Sequence, residues 1–573
     1  MTIDVNAAHG LGDILRLRAA ECGARPFLLF EDTRLTFAET YGEACRYANL
    51  FLRWRQPARP FHIGLLLENR PEFVLAELGA ALAGAVVVGL NPTRRGAHLA
   101  RDVSYSDCQI VVSEGKFAGP LASALAGSEA SPRVATATRW DERPAALTAG
   151  STVLEAALAD MPATDPNVAV GDDDLFLIVF TSGTTDAPRG VMRSHGRLLL
   201  MAQGAVAVVT GCTPEDVVYC AMPLFHANAQ VLGLGVALAG GAALVLARRF
   251  HKSRFLDDVR RYGCTLFNYV GNPLAYVMDT AERPDDADNP LRLAYGNEGP
   301  RHYVDAFARR FGCRVIDSYG ASEVGVVFTR QDGDPPGALG RPAPGVCILD
   351  ERGAECPPAR FDAQGRLLNP EEAIGEIVNT AGAGWFEGYY ANETATRTRM
   401  RDGQYHTGDL GYRDAAGYVY FAGRDLEWIR ADGENFLARP VEAILERHPD
   451  VLLAAVYAVP DAEAGDRVMA ALALRAGCAF DPAGFAAFLD AQPDLSPKWA
   501  PTYVRIVPEL RRTETNKVLK RELQREKFLG VEGTDPLYWR PRGAPAYRRF
   551  TAEDLAVLRA QFRRAGNEAR LDA

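Results

Sequence analysis

The apolar run Leu175-Phe-Leu-Ile-Val-Phe180 passes directly into Thr181-Ser182-Gly183-Thr184-Thr185-Asp186-Ala187-Pro188-Arg189-Gly190, and no other junction constrains the fold as strongly. An unbroken run rich in β-branched and aromatic side chains predicts a strand covered on both faces, hence a sheet with layers on either side. The loop after it combines hydroxyl side chains, glycines, a proline and a cation. Such a loop can turn backbone N–H groups and hydroxyls toward one anion, with Arg189 supplying charge. A bare Thr-Ser-Gly triplet is an ordinary turn; the whole string points to a phosphate loop. It is not a Walker loop, because Gly-Lys-Ser/Thr is absent.

The chain before this junction alternates in period. Ile14 to Cys22 is amphipathic, Phe27-Leu-Leu-Phe30 and Ile63-Gly-Leu-Leu-Leu67 read as strands, and Glu72 to Ala83 reads as a helix before Ala85-Val-Val-Val-Gly-Leu90. Alternation of this kind predicts a mainly parallel sheet with helices on its faces. A similar phrase occurs twice. Leu78-Gly-Ala-Ala-Leu-Ala-Gly84 before Val86-Val-Val88, and Leu234-Gly-Val-Ala-Leu-Ala-Gly240 before Ala243-Leu-Val-Leu246, both read as helix, glycine stop and strand, which predicts two related α/β subdomains. From about residue 119 to 166 the text is Ala/Ser/Pro-rich and reads as a variable surface segment, with a helix over Thr152 to Asp160.

At 573 residues and 48% hydrophobic content the chain can bury a large core divided among subdomains. A net charge of −10 excludes an extended nucleic-acid surface while leaving room for a local basic phosphate site. The ten cysteines show neither C-x-x-C nor zinc-like spacing, so they read as reduced core thiols of a cytoplasmic protein. The N-terminus lacks a signal-peptide pattern. The longest apolar run, Val231 to Ala247, is short for a membrane span and interrupted by glycines; it reads as helix, turn and strand.

Further motifs follow the phosphate loop in order: Pro223-Leu-Phe-His226-Ala-Asn228, Phe267-Asn-Tyr269-Val-Gly271-Asn272-Pro273, Tyr295-Gly296-Asn297-Glu298-Gly299-Pro300, and Asp317-Ser-Tyr319-Gly320-Ala-Ser322-Glu323. Strands that run into glycine loops place ligands beyond the carboxyl edge of an open α/β sheet. Later come Gly388-Tyr-Tyr-Ala-Asn392, Thr407-Gly408-Asp409, Gly423-Arg424-Asp425-Leu426-Glu427-Trp428, Gly433-Glu434-Asn435 and Arg512-Thr-Glu-Thr-Asn516-Lys517.

These motifs and their order resemble the adenylate-forming superfamily of acyl-CoA synthetases, stand-alone adenylation domains and luciferases, over about residues 10 to 550. The resemblance implies an α/β fold: a large N-terminal domain (1–422) of two related α/β subdomains plus a barrel-like part, a hinge (423–428), and a small mobile α+β C-terminal domain (429–550) before a tail (551–573). It also implies ATP/AMP, Mg²⁺ and coenzyme A as ligands, with no nucleic acid and no membrane span; a homodimer is left open. Nucleotide contacts are implied for Thr181, Ser182, Gly183, Thr184, Thr185, Asp186 and Gly190 of the loop, and for Gly296, Asn297 and Glu298 over adenine. Tyr319 would stack on adenine beside Gly320, Ser322 would meet the α-phosphate, and Asp409 with Arg424 would meet the ribose side. Glu323 and Thr184 are the implied magnesium ligands. Arg189, Lys517, Glu323 and His226 are the implied catalytic set. The acyl pocket would be bordered by His226, Asn228, Tyr269, Gly271 and Asn272, and Gly433 and Glu434 would meet CoA.

The chain departs from the family loop Thr-Ser-Gly-Thr-Thr-Gly-x-Pro-Lys-Gly at Asp186 and Arg189, and from Thr-x-x-Gly-Lys at Asn516. Asp186 introduces an expectation of weak adenylation with the thioester-forming step retained. Lys520 and Arg521 read as a solvated helix face. The small domain reads as helix (Val441 to Arg447), two strands (Leu452 to Val459, Val468 to Leu474) and helix (Pro482 to Gln492). The extra aromatic tail from Asp535 to Phe550, with the Trp428 to Asn435 stretch, resembles ligases for bulky steroid or terpenoid acids. Loading of a carrier protein, or a non-catalytic acyl-nucleotide binding protein, remain the alternatives.

Overall fold

The computed structural model describes residues 8–571 apart from 127, 129, 142–149, 182–188, 272, 298, 300, 332, 363–366, 425–427, 432–433, 463–465, 493, 496, 513–517, 529–534, 542 and 565–570. The chain divides into two compact units. The first comprises Met1–Gly299, Val304–Thr329 and Gly382–Tyr405; the second comprises Pro300–Tyr303, Arg330–Ala381 and His406–Ala573.

The first unit holds two largely parallel sheets. One runs in the order Thr152–Val153, Arg133–Ala137, Cys108–Glu114, His62–Leu66, Val86–Gly89, Leu175–Phe180 and Gly190–Ser194, parallel up to the last strand, which is antiparallel. The other runs Val327–Thr329, Arg314–Gly320, Leu293–Asn297, Leu266–Val270, Val217–Cys220, Ala243–Leu246, Pro26–Phe30 and Thr33–Thr36, with antiparallel pairs only at its two ends. The twice-written phrase supplies one helix-strand unit to each sheet. Helix Pro71–Ala83 ends at Gly84 with φ 64°, and helix Val236–Gly240 ends at Gly241 with φ 74°. Both glycines take the left-handed conformation that closes a helix without a Cβ penalty.

Two local readings need correction. The segment from 119 to 166 is more than variable surface: Arg133–Ala137 and Thr152–Val153 pair in parallel and complete the edge of the first sheet. The predicted helix from Thr152 therefore begins only at Leu154, since β-branched Thr152 and Val153 pair as strand first. The apolar run Val231 to Ala247 is helix, turn and strand, as read, but the helical part opens as a π-helix, Ala229–Gly235.

The second unit carries an antiparallel sheet built from Val346–Leu349, Gly375–Asn379, Gln404–Arg413 and Val419–Arg424, and a second sheet in the order Val451–Pro460, Asp466–Leu474, Tyr503–Val507, Leu537–Trp539 and Arg548–Arg549. Helices Ala438–Leu445 and Pro482–Asp490 supply Val441, Ile444, Leu445, Phe485 and Leu489 to its core. The aromatic tail is part of this body. Its strands extend the sheet, Trp539 and Phe550 pack against Tyr503, and helix Ala552–Arg564 buries Leu555 and Phe562. No described helix is long and apolar enough to cross a membrane.

Candidate functional site

Strand Leu175–Phe180 is buried beyond its first residue, as its composition predicts. The chain returns as antiparallel strand Gly190–Ser194, with Phe180 opposite Gly190 and the Thr181 N–H donating to the Arg189 carbonyl oxygen at 3.0 Å. The predicted phosphate loop thus joins two antiparallel strands at the edge of the sheet. Thr181, Arg189 and Gly190 form its described base; Ser182, Gly183, Thr184, Thr185 and Asp186 lie outside the described residues.

At the carboxyl edge of the second sheet the predicted ligand loops are tied to one another. Asn228 donates to Asn297 Oδ1 at 3.1 Å, and Asn297 donates to the Ser318 carbonyl at 3.1 Å. The Gly271 N–H donates to the Asn297 carbonyl at 2.8 Å. Asp317 Oδ1 accepts from the Tyr269 hydroxyl at 2.8 Å and from the Gly299 N–H at 2.9 Å. Tyr269 is fully buried, so its hydroxyl holds the loop after Gly296 in place. A Cβ on Gly296 would lie 1.9 Å from the Tyr269 carbonyl oxygen, and only glycine permits that approach. His226 sits in the turn before the π-helix, half-buried, with its ring 4.1 Å from that of Phe225. Asn272 and Glu298 lie outside the described residues.

Tyr319 is the penultimate residue of strand Arg314–Gly320, with Phe328 packed edge-on against its ring. Ser322 is half-buried and Glu323 is 6% exposed. Glu323 Oε1 accepts from the Tyr389 hydroxyl at 2.6 Å, and Arg399 Nε donates to the same hydroxyl at 3.4 Å. Burial and the Glu323 carboxylate push the Tyr389 phenol well above its ordinary range. Burial pulls Arg399 down, but its hydrogen bond to Tyr389 and the surrounding negative charge outweigh it and keep the guanidinium firmly charged. Val324, the next residue, has φ 53°. A β-branched side chain is strained in that region. Sequence reasoning missed Tyr389, Arg399 and Arg193; the signals were the Gly-Tyr-Tyr turn and an arginine inside the strand after the phosphate loop.

In the second unit, Asp409 lies on strand Gln404–Arg413, 5% exposed, with its Cα paired to that of Arg424 across the ladder. Its N–H donates to Thr407 Oγ1 at 3.0 Å, and Thr407 donates to the Ile377 carbonyl at 2.7 Å. Glu376 accepts from the Gly408 N–H at 2.8 Å and lies 2.8 Å from His406 Nδ1. Gly433 and Lys517 lie outside the described residues, and the side chains of Arg424 and Glu434 are likewise not described. Arg512 pairs with Val518 across the segment that carries Lys517. Lys520 corrects an expectation: it is 18% exposed and its Nζ lies 2.7 Å from Glu442 Oε1, a buried partner rather than solvent. Helical position alone does not show which face meets the sheet.

Among the described residues no group of three or more His, Cys, Asp or Glu side chains could hold a metal. One buried carboxylate, Glu323, fits a Mg²⁺ that arrives with nucleotide phosphates, which need few protein ligands.

A family model described as AMP-binding enzyme matches residues 15–390, and one described as AMP-binding enzyme C-terminal domain matches 440–517. The chain is 47% identical over 513 residues to a steroid-22-oyl-CoA synthetase of Rhodococcus jostii (strain RHA1), covering 89% of this chain and 90% of that protein. It is 45% identical over 525 residues to the medium/long-chain-fatty-acid--CoA ligase FadD17 of Mycobacterium marinum, covering 91% and 96%. The fold superposes with a TM-score of 0.79 on the anthranilate CoA ligase AuaEII in complex with anthranoyl-AMP, at 21% identity over 91% of this chain and 98% of that one. A matched model across both parts, with relatives aligned nearly end to end, shows that the chain belongs to the AMP-binding enzymes and is a ligase of the acid–thiol class.

Proposed function

We propose that this ligase forms the CoA thioester of a bulky, apolar carboxylic acid of steroid or terpenoid type through an acyl-adenylate. The 47% identity along 89% of the chain to a steroid-22-oyl-CoA synthetase carries this reading. In the first half-reaction a carboxylate oxygen of the acid attacks the α-phosphorus of ATP and pyrophosphate leaves. In the second, the CoA thiolate attacks the acyl carbon and AMP leaves. No side chain need become a covalent nucleophile; orientation and charge neutralisation supply the catalysis.

In this reading Tyr319 stacks on adenine with Gly296, Asn297 and Glu298 beside it, Ser322 donates to the α-phosphate, and Asp409 accepts from the ribose diol. Thr181 to Gly190, Arg189 and Lys517 face the phosphates. His226 and Asn228 border the acid, and Gly433 and Glu434 border CoA. Glu323, with Thr184, would hold Mg²⁺, whose charge would offset that of the phosphates.

A second reading, a medium- or long-chain fatty acid, is favoured by the 45% identity to FadD17. Thioester formation from steroid, palmitoyl and acetyl adenylates separates them. We expect the steroid adenylate to react with the highest kcat/KM; a preference for palmitoyl would establish the second reading, and a preference for acetyl would remove both.

A further inference from the structure

Arg193 is buried at 2% exposure, yet its described hydrogen-bond partners are all carbonyl oxygens. It stands on strand Gly190–Ser194, opposite Leu177 and a few residues beyond the phosphate loop. Nη1 donates to the Met192 carbonyl at 2.9 Å and the Trp385 carbonyl at 3.2 Å, and Nη2 donates to the Ser322 carbonyl. The Trp385 N–H in turn donates to the Val324 carbonyl at 3.2 Å. Arg193 and Trp385 therefore close a clamp on both sides of Glu323, and the clamp spans Val324 with its strained φ of 53°. Burial pulls the guanidinium below its ordinary range, while the charges of Glu387 and Glu323 pull the other way. A core would fill this place more simply with an apolar side chain, because a buried cation is costly to desolvate. The planar guanidinium reaches three carbonyls in one rigid fork, which neither an apolar group nor a lysine can do.

We propose that Arg193 is a positioning residue for the α-phosphate cradle, holding the Ser322 carbonyl so that the turn through the strained Val324 presents Ser322 to the phosphate. The proposal rests on the nucleotide reading of Ser322 given above. Without Arg193 the strained turn would relax, and the loss would fall on phosphate recognition, not on the adenine and ribose contacts.

The test is calorimetric titration of the full chain with AMP and, separately, with adenosine, for the parent, Arg193→Met and Arg193→Lys. Binding needs no turnover, so the state of the adenylation step does not enter. Loss of one aligned phosphate contact predicts AMP weakened by about tenfold in Arg193→Met and adenosine changed by less than about twofold, with Arg193→Lys between parent and Met. A general loosening of the fold would weaken both ligands together, and that outcome overturns the proposal, as does AMP binding unchanged in a folded variant. If Arg193→Met does not fold, Arg193→Lys decides alone: selective loss of AMP affinity supports the clamp, and parental affinity overturns it. A parent that binds AMP no tighter than adenosine would remove the Ser322 reading first, and this inference with it.

Discussion

Tyr389 and Glu323 place a phenol against a carboxylate at 2.6 Å inside the first unit, with the carboxylate 6% exposed. A buried acceptor that loses its donor carries the full desolvation penalty, about 1–3 kcal/mol and more when it is charged. Tyr389→Phe keeps the ring against Phe386 and removes only the hydroxyl. It should therefore lower unfolding free energy by about 1–3 kcal/mol, read from the urea midpoint at unchanged m-value. Mg²⁺ binding to the freed carboxylate would offset part of that loss, so the gap to the parent should narrow as MgCl₂ is added; a gap independent of Mg²⁺ would detach Glu323 from the metal role.

The helix Ala438–Leu445 illustrates the same physics at the scale of an element, because it and the residue just past its end aim two carboxylates at the sheet of the small body. Glu442 Oε1 accepts from the Val456 N–H at 2.8 Å and pairs with Lys520, whereas Glu446 is 5% exposed and lies 3.7 Å from Arg439. Burial pushes the Glu446 carboxyl up from 4.5 to about 7. Between those values the folded chain keeps a proton that the unfolded chain releases, so this group's contribution to stability is greatest below pH 4.5 and declines as pH rises toward 7. At about 1.4 kcal/mol per pH unit the decline reaches about 3 kcal/mol at most. Thermal melts of the parent and Glu446→Gln at pH 5 and pH 8 check this: the parent should lose more Tm over that interval than the variant. Such contacts mark where sequence reading stops. Pro71–Ala83, Leu175–Phe180 and Val451–Pro460 are visible as nearly continuous apolar runs, since burial on both faces leaves no polar alternation. Lys520, Arg193 and Tyr389 are not visible, since their partners are distant in sequence. The strands Arg133–Ala137 and Thr152–Val153 were hidden by Ala/Ser/Pro-rich surroundings that read as loop.

For the whole molecule, the connection between the parts matched by the two family models is the place to probe domain alternation. Gly423 has φ 127°, a backbone conformation that side chains rarely adopt, so a glycine there gives the chain a freedom its neighbours lack. Leu426, which lies outside the described residues, is the hinge position that the family resemblance implies. Leu426→Pro would fix φ near −65° and should hinder passage between the two half-reactions while leaving AMP affinity intact. Thioester formation from supplied acyl-AMP should fall about tenfold or more for a gated conformational step. An unchanged rate in a folded variant would move the hinge elsewhere.

Asp186 carries the expectation about how the two half-reactions balance. The family loop has glycine there, and a carboxylate can occupy the loop N–H donors itself, as aspartate does in turns. If it faces the nucleotide, it would also add like charge beside the β- and γ-phosphates of ATP. At about 4 Å and an effective dielectric of about 20, two unit charges repel by about 4 kcal/mol, roughly a thousandfold, before a cation screens them. Arg189 keeps positive charge at the loop base, but its planar fork replaces lysine's compact ammonium. Such a penalty would fall on ATP and pyrophosphate; an acyl-adenylate carries only the α-phosphate and would escape it. We therefore expect acid-dependent pyrophosphate exchange to be weak in the native protein beside robust CoA thioester formation from synthetic acyl-AMP. Asp186→Gly should raise exchange by about tenfold to a thousandfold, the span between a screened and an unscreened charge pair, with Arg189→Lys adding to it and the thioester rate barely moving. Robust native exchange that neither substitution improves would show that the carboxylate faces away from the phosphates, and the protein would then be a complete ligase rather than one specialised for the second half-reaction.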